Sequence, residues 1–292
     1  MSSESQAQIF TVVVNWERPD DTCACLDALV RSAPPESIVV VDNGSRDESA
    51  AIVRQRFPNV NLLCRSDNGG FAKAANLGIA FALERGAAGV FLLNNDALVD
   101  EQTLARLAAA LRAPGRVGVW SAKVYQADDP GRLWAIGGVY RDHNVTNLFF
   151  GERDAGQYDD VALDFVYGCA MLLRADMLYE IGGFDERFFM YYEDVDLCLR
   201  AQAAGYSIAL APDAHVCHHG ERSTSDTPGL KLFYEARSRM LFYAKHLSRP
   251  EKLRFYPAEA RYVAALTARR VLAGNLRGAL GYLRGYWSAI AS

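Results

Sequence analysis

The apolar positions of the chain fall into short, nearly unbroken runs separated by longer amphipathic stretches. Residues 9–14 (IFTVVV) form a β-branched run, too short for a helix and suited to a strand buried on both faces. Pro19 with Asp20 and Asp21 then opens a helix to about Arg31. Residues 37–41 (SIVVV) predict a second strand, followed by a helix to about Phe57 that Pro58 stops. Residues 60–64 predict a third strand and 72–84 a helix entered through Gly69 and Gly70. Residues 89–93 (GVFLL) predict a fourth strand, and 100–111 another helix. This alternation predicts an α/β fold: βαβ units on a mostly parallel, Rossmann-like sheet with helices on both faces. Beyond residue 120 the periodicity weakens. Residues 131–166 read as hairpins or loops, and helical spacing resumes at 175–181 and 193–204.

Open α/β sheets bind ligands beyond the carboxyl ends of their strands. Here those ends carry Asn15-Trp16-Glu17, Asp42-Asn43-Gly44-Ser45 and Asn94-Asn95-Asp96. Each has two readings. The Asp42 cluster is either a turn with a helix cap or a carboxylate that holds a ribose or base. Asn94-Asn95-Asp96 is either an Asx turn or an amide oxygen and carboxylate offered to a hard divalent cation. Asn68, Gly69 and Gly70 lead into a helix through small residues, which permits tight packing or a close approach to phosphate. The segment does not fit GxGxxG, so a dinucleotide fingerprint is not predicted.

Further along, Asp185, Glu186, Glu193, Asp194 and Asp196 crowd beside an aromatic wall. A helix from residue 193 puts Glu193, Asp196 and Arg200 on one face, with Asp194 about 100° away. Asp194 is then either dipole compensation at a helix start or a general base for an attacking hydroxyl. His215, His218 and His219 are either exposed loop histidines or ligands for a borderline divalent ion.

Composition narrows the classes. With 292 residues, 50% apolar and 23% charged, the chain is neither disordered, nor collagen-like, nor a small disulfide scaffold. Its six cysteines form no CxxC pair, which predicts reduced thiols in the cytoplasm. Met1–Gln8 is polar and lacks the features of a secretory signal, and no apolar window is long enough for a membrane span. The net charge of −4 conceals a division: residues 228–292 carry 12 Lys and Arg against three acids, and residues 1–227 carry 19 against 32. Two domains are therefore predicted, 1–227 and a basic helical region 228–292, with the boundary in the turn-rich stretch 223–229.

The order of the motifs resembles the family-2 inverting glycosyltransferases of GT-A fold, in particular bacterial rhamnosyltransferase-like members. The likeness runs from about Val12 to Leu247. It rests on VVVNW at 12–16, VDNGSRD at 41–47, DNGGFAKAANLG at 67–78 and LLNNDALVD at 92–100, on the long segment 167–206, on HVCHHGERS at 215–223 and on residues 233–247. The resemblance implies that Asp42 contacts the nucleoside, that the Asn15, Trp16 and Glu17 backbone frames the base, and that Asn68, Gly69 and Gly70 lie near the nucleotide. It implies a Mg²⁺ or Mn²⁺ ion held by Asp96 with Asn94 and His218. His219 is the alternative should the register differ by one. Many members have Asp where this chain has Asn94. Asp194 matches the catalytic base, with Glu193 beside it, and Gly168 and Cys169 fall near the junction of donor and acceptor. The implied donor is dTDP-L-rhamnose, or a UDP-sugar. The implied acceptor is a glycan or a polyprenyl-diphosphate-linked glycan in cell-surface polysaccharide synthesis. A non-catalytic nucleotide-sugar binder on the same fold, or a nucleotidyltransferase, would differ in products, and no triphosphate loop precedes the first helix.

The basic region repeats Arg254 and Arg261, then Arg270, Arg277 and Arg284, at seven-residue spacing among Leu, Tyr and Trp. This amphipathic pattern fits either a helix on the cytoplasmic face of an anionic membrane or a helix packed on the main domain or a second subunit. Gly274, Gly278, Gly281 and Gly285 lower helix propensity by about 1 kcal/mol each, so the helix needs a partner. Nucleic acid is not expected, because the rest of the chain is strongly acidic.

Overall fold

A computed structural model describes residues 8–220 and 228–290. The polar start at 1–7 and most of the 223–229 turn stretch therefore lie outside the described residues. The first half alternates as the pattern predicts: β1 (Ile9–Asn15), α1 (Pro19–Ser32), β2 (Ile38–Asp42), α2 (Ser49–Arg56), β3 (Asn61–Cys64), α3 (Phe71–Glu84), β4 (Gly89–Asn94), β5 (Ala97–Val99) and α4 (Thr103–Arg112). Then follow β6 (Val117–Gln126), β7 (Leu133–Ala135), the hairpin β8 (Gly138–Arg141) and β9 (Asn144–Asn147), β10 (Ala170–Arg174), α5 (Ala175–Ile181), α6 (Glu193–Ala203) and β11 (Ser207–His218).

The sheet is mixed rather than mostly parallel. Strands β3, β2, β1 and β4 run parallel. β10 then inserts antiparallel between β4 and β6, β11 runs parallel to β6, and β5 closes the edge antiparallel to β11. The late strands are hidden in the sequence for physical reasons. β6 interrupts its apolar run with the buried polar residues Ser121 and Lys123. β10 has five residues and runs straight into α5. The pairing of β11 with β6 shifts register between Ala211 and His215.

Alternation along the buried strands serves two layers. Val13, Ile38, Val40, Phe91 and Leu93 share one core with Leu26 and Leu29 of α1 and Leu104, Leu107 and Leu111 of α4. The intervening residues Val12, Val39 and Leu92 are buried too, on the face where α3 packs against β1, β2 and β4. Asp196, which shares a face of α6 with Arg200, is fully buried. Arg200 donates to it at 2.9 Å and also to the carbonyls of Ile181 and Gly183, so the pair clamps the end of α5 to α6.

Contacts divide the chain into two units. One comprises the chain through Phe184 together with Asp194–Gly220, and the other Asp185–Glu193 and the chain after Gly220. The second unit contains α7 (Pro228–His246), α8 (Arg249–Leu272) and α9 (Leu276–Ile290). Its core joins Leu232, Ala236 and Met240 of α7 with Val263 of α8 and Tyr282 and Tyr286 of α9. Glu259 is buried and accepts two hydrogen bonds from Arg239 at 2.9 Å, tying α8 to α7. Residues 185–193 are pinned to α7: Ser238 donates to the Met190 carbonyl at 2.7 Å and Phe189 stacks on Tyr234. Tyr191 and Tyr192 at the end of this segment both have left-handed φ, 69° and 68°.

Candidate active site

Register places the polar strand ends on one edge of the sheet. Asn15 pairs with Asp42, Val14 with Asn94, and Leu93 with Ala170, and the Asn94 amide donates to the Cys169 carbonyl at 2.9 Å. Asp42, Asn94, Asp96, Gly168 and Cys169 therefore follow one another along the ends of β2, β1, β4 and β10. Segments far apart in sequence are aligned by main-chain pairing alone.

Asp42 is buried and organises the first cluster. It accepts from Asn15 Nδ2 at 2.8 Å, from Ser45 Oγ at 2.6 Å and from the Ser45 amide at 3.2 Å. Asn15 Oδ1 in turn accepts from Thr22 Oγ1 at 2.6 Å, and Asn95 Nδ2 donates to Thr22 Oγ1 at 3.0 Å. The Glu17 amide donates to Ser45 at 2.8 Å, and left-handed φ values at Glu17 and Arg18 turn the chain away from β1 beside Trp16. Gly44 is required here: it has φ 74°, and a Cβ would meet the Asp67 carbonyl carbon at 2.4 Å. Asn43 holds the glycine-rich segment, accepting from the Gly69 amide at 3.1 Å and donating to Asn68 Oδ1 at 3.0 Å and the Gly70 carbonyl at 3.2 Å. The sequence signalled Asp42, Asn68, Gly69 and Gly70. It gave no signal for Thr22, which sits inside α1, and Asn43 and Ser45 read as turn residues.

The second cluster lies past β4. His218 Nε2 stands 3.0 Å from Asp96 Oδ1, with both side chains buried, and 3.3 Å from Asn94 Nδ2. The Gly220 amide donates to His218 Nδ1 at 3.1 Å, so the tautomer that satisfies both contacts carries its proton on Nε2 and donates to Asp96. Burial acts to raise the Asp96 carboxyl, but the hydrogen bond that His218 donates leads the contributions that outweigh it and hold the group below the ordinary carboxylate value. Trp134 of β7 lies against His218 with centroids 4.4 Å apart, a contact that the irregular 131–166 segment did not suggest. The His219 main-chain amide donates to the Asp96 carbonyl at 3.2 Å.

The third group is Asp194, at the start of α6. Its Oδ2 accepts from the Gly168 amide at 3.0 Å and its Oδ1 from the Val195 amide at 2.8 Å. Loss of hydration raises its pKa despite these bonds. Glu193 is buried in the segment grouped with the second unit. Tyr167 precedes Gly168; burial raises its phenol, with the Asp194 charge adding to the effect. The edge thus gathers a hydrogen-bonded carboxylate at β2, a carboxylate–imidazole pair at β4 and β11, and a desolvated carboxylate beside β10.

A family model described as "Glycosyltransferase like family 2" matches residues 7–240. The chain belongs to the family-2 glycosyltransferases. Among its relatives, an N-acetylglucosaminyl-diphospho-decaprenol L-rhamnosyltransferase of Mycobacterium tuberculosis is 32% identical over 231 residues, 72% of this chain and 75% of that one. A dTDP-rhamnosyl transferase, RfbF, of Shigella flexneri is 22% identical over 218 residues, covering 73% and 69%. In solved structures, the mannosyltransferase PcManGT from Pyrobaculum calidifontis, in complex with GDP-Man and Mn²⁺, matches with a TM-score of 0.58 at 16% identity, over 97% of this chain and 87% of that one. The fold of this glycosyltransferase is GT-A, and its relatives include rhamnosyltransferases.

Proposed function

We propose that this glycosyltransferase moves L-rhamnose from dTDP-L-rhamnose to a hydroxyl of a lipid-linked glycan, with inversion at the anomeric carbon. The observation that carries the reading is Asp194: one desolvated carboxylate, oriented by two backbone amides, on the same sheet edge as a nucleoside-type and a metal-type cluster. The rhamnosyl and diphospho-decaprenol chemistry in the names of the relatives supports the sugar and the acceptor class.

Asp42, fixed by Asn15 and Ser45, presents its carboxylate to the nucleoside, and Asn43 holds Asn68, Gly69 and Gly70 where their backbone approaches the nucleotide. Asp194 takes the proton of the acceptor hydroxyl as that oxygen bonds to the anomeric carbon and the bond to the diphosphate breaks. Glu193 adjoins it in the chain. The donor set of the second cluster fits a divalent ion. Among the described residues no three His, Cys, Asp or Glu side chains converge, but Asp96 and His218 do, with Asn94 Nδ2 at the same nitrogen, and diphosphate oxygens complete such a set. Asp96, His218 and Asn94 would hold it. When bound, Mg²⁺ or Mn²⁺ supplies positive charge that offsets the charge developing on the departing diphosphate. A lipid-linked acceptor places the reaction at the cytoplasmic membrane surface; among the described residues no helix is long and apolar enough to cross a membrane.

The test is a panel of dTDP-, UDP- and GDP-sugars with Mn²⁺ and a synthetic polyprenyl-diphosphate glycan. The product is then read by NMR for anomeric configuration. Transfer from a donor other than dTDP-rhamnose refutes the sugar, and retained configuration refutes the role of Asp194.

A further inference from the structure

Helix α9 is apolar on two opposite sides. At 100° per residue, Ala279, Tyr282, Gly285 and Tyr286 share one side, and this side is buried. The glycines explain the fit: a Cβ at Gly281 would lie 2.2 Å from the Gly229 carbonyl oxygen, and one at Gly285 2.0 Å from that of Phe233. The glycines that weaken α9 as an isolated helix thus let it lie directly on the backbone of α7. That side has its partner.

On the other side, among the described residues, Leu283 is partly buried against the same core and its neighbours are exposed. Leu276, Leu280, Leu283 and Trp287 fall within about 60° of arc. Leu276 is 58% exposed, Leu280 54% and Trp287 62%. Val271 and Leu272, the last residues of α8, extend the apolar surface, Leu272 at 89% exposure. Arg277 and Arg284, both exposed, stand along one border, and Arg269 and Arg270 sit beside the turn. A single exposed leucine needs no explanation, but a stripe of leucines and a tryptophan bordered by arginines does. Leucine and tryptophan seat in the acyl and headgroup layers, while arginine reaches anionic headgroups on its flexible stem. The region from 228 onward is basic throughout, 12 Lys and Arg against three acids, so its charge complements an anionic lipid surface. A second copy of the same face would oppose arginine to arginine.

We propose that the outward side of α9, with the α8–α9 turn, is a docking surface for an anionic lipid bilayer. The helix lies in the plane of the headgroups. This deepens the reading of a lipid-linked acceptor, but vesicle binding is measured without donor or acceptor. Vesicle binding without rhamnosyl transfer would remove that reading and leave the docking surface standing. Transfer to a soluble acceptor analogue without vesicle binding would do the reverse.

The test uses the full chain with vesicles of phosphatidylcholine alone and of phosphatidylcholine with phosphatidylglycerol. The wild type is expected to co-sediment with the anionic vesicles only, and added salt weakens the binding. Trp287 is the sole tryptophan of the second unit; the other three, Trp16, Trp120 and Trp134, belong to the first. Quenching by brominated lipid is therefore expected to vanish in Trp287→Phe. The triple variant Leu276→Ser, Leu280→Ser and Trp287→Ser, which leaves the buried side untouched, is expected to bind about 100-fold more weakly. Arg277→Gln with Arg284→Gln is expected to weaken binding about fivefold per arginine and provides an independent reading should the triple variant not fold. Equal sedimentation of wild type and either variant overturns the proposal. So does a wild type that ignores both kinds of vesicle and elutes as a dimer that the variants break.

Discussion

The Gly168 amide donates to Asp194 Oδ2 at 3.0 Å, bringing the loop before β10 to the first turn of α6. Asp194 also accepts from its neighbour's amide at Val195, so both carboxylate oxygens are oriented by the main chain. Replacing Asp194 with Asn keeps shape and loses basicity. Asp194→Asn is expected to lower the transfer rate by about 10²–10⁴-fold with nucleotide affinity unchanged, measured by turnover alongside calorimetric titration with dTDP. Wild-type turnover in the variant removes Asp194 from the mechanism.

The pH profile follows from the same group. Desolvation raises the Asp194 pKa, and a base acts only when deprotonated. Transfer is therefore expected to rise with pH along an acid limb whose apparent pKa lies above the ordinary carboxylate value, and to fall as pH drops through it. A kcat/KM profile checks this. A limb at or below the ordinary value assigns it to another group.

Asp96 and His218 make a separate claim. Excess chelator is expected to abolish transfer, Mn²⁺ to restore it, and Asp96→Ala to cost about 10²-fold or more. The wild type, with dTDP present, should also show a Mn²⁺-dependent rise in melting temperature that Asp96→Ala lacks. Full activity in chelator contradicts the assignment.

Away from this edge, Lys123 of β6 is buried and bonds Asp154 at 2.7 Å and Asp159 at 2.5 Å, while Tyr125 donates to Asp154 at 2.6 Å. Burial would raise the Asp154 carboxyl, but Lys123 and Tyr125 bring it down to about 2. A carboxylate depressed on folding stabilises above its unfolded pKa, near 3.9, and that contribution is lost as pH falls toward 2. Asp154→Asn is thus expected to flatten the acid limb of stability between about pH 4 and 2, read by urea unfolding at each pH. Lys123→Met, which strands a buried carboxylate, is expected to cost about 3–5 kcal/mol. Loss of less than 1 kcal/mol would show that the pair is solvated.

The first four strands and their helices were legible because each strand is a continuous apolar run and each helix opens on Pro, Asp or Gly. Boundaries moved where a turn intervened, as at Asp100, whose carboxylate accepts from Gln102 and Thr103 and delays α4 to Thr103. The second half was less legible because its pairing is nonlocal: β10 is a short apolar run wedged between β4 and β6, and nothing in its own sequence says it runs antiparallel. The acidic strand-end motifs were visible for their residue types, yet their neighbours were not. Thr22 and Trp134 matter through contacts across the fold, with Asn15 and His218, that no local spacing encodes.

The hydrogen bond from the Asn94 amide to the Cys169 carbonyl has a consequence for divergence within such enzymes. The loops that carry Asp96 and Gly168 are stitched by main-chain atoms, which substitution cannot remove. The insert between β6 and β10 ends at that stitch, with Cys169 as its last residue. Side chains on the two loops can therefore be exchanged without altering the main-chain link that sets the spacing between Asp96 and Gly168.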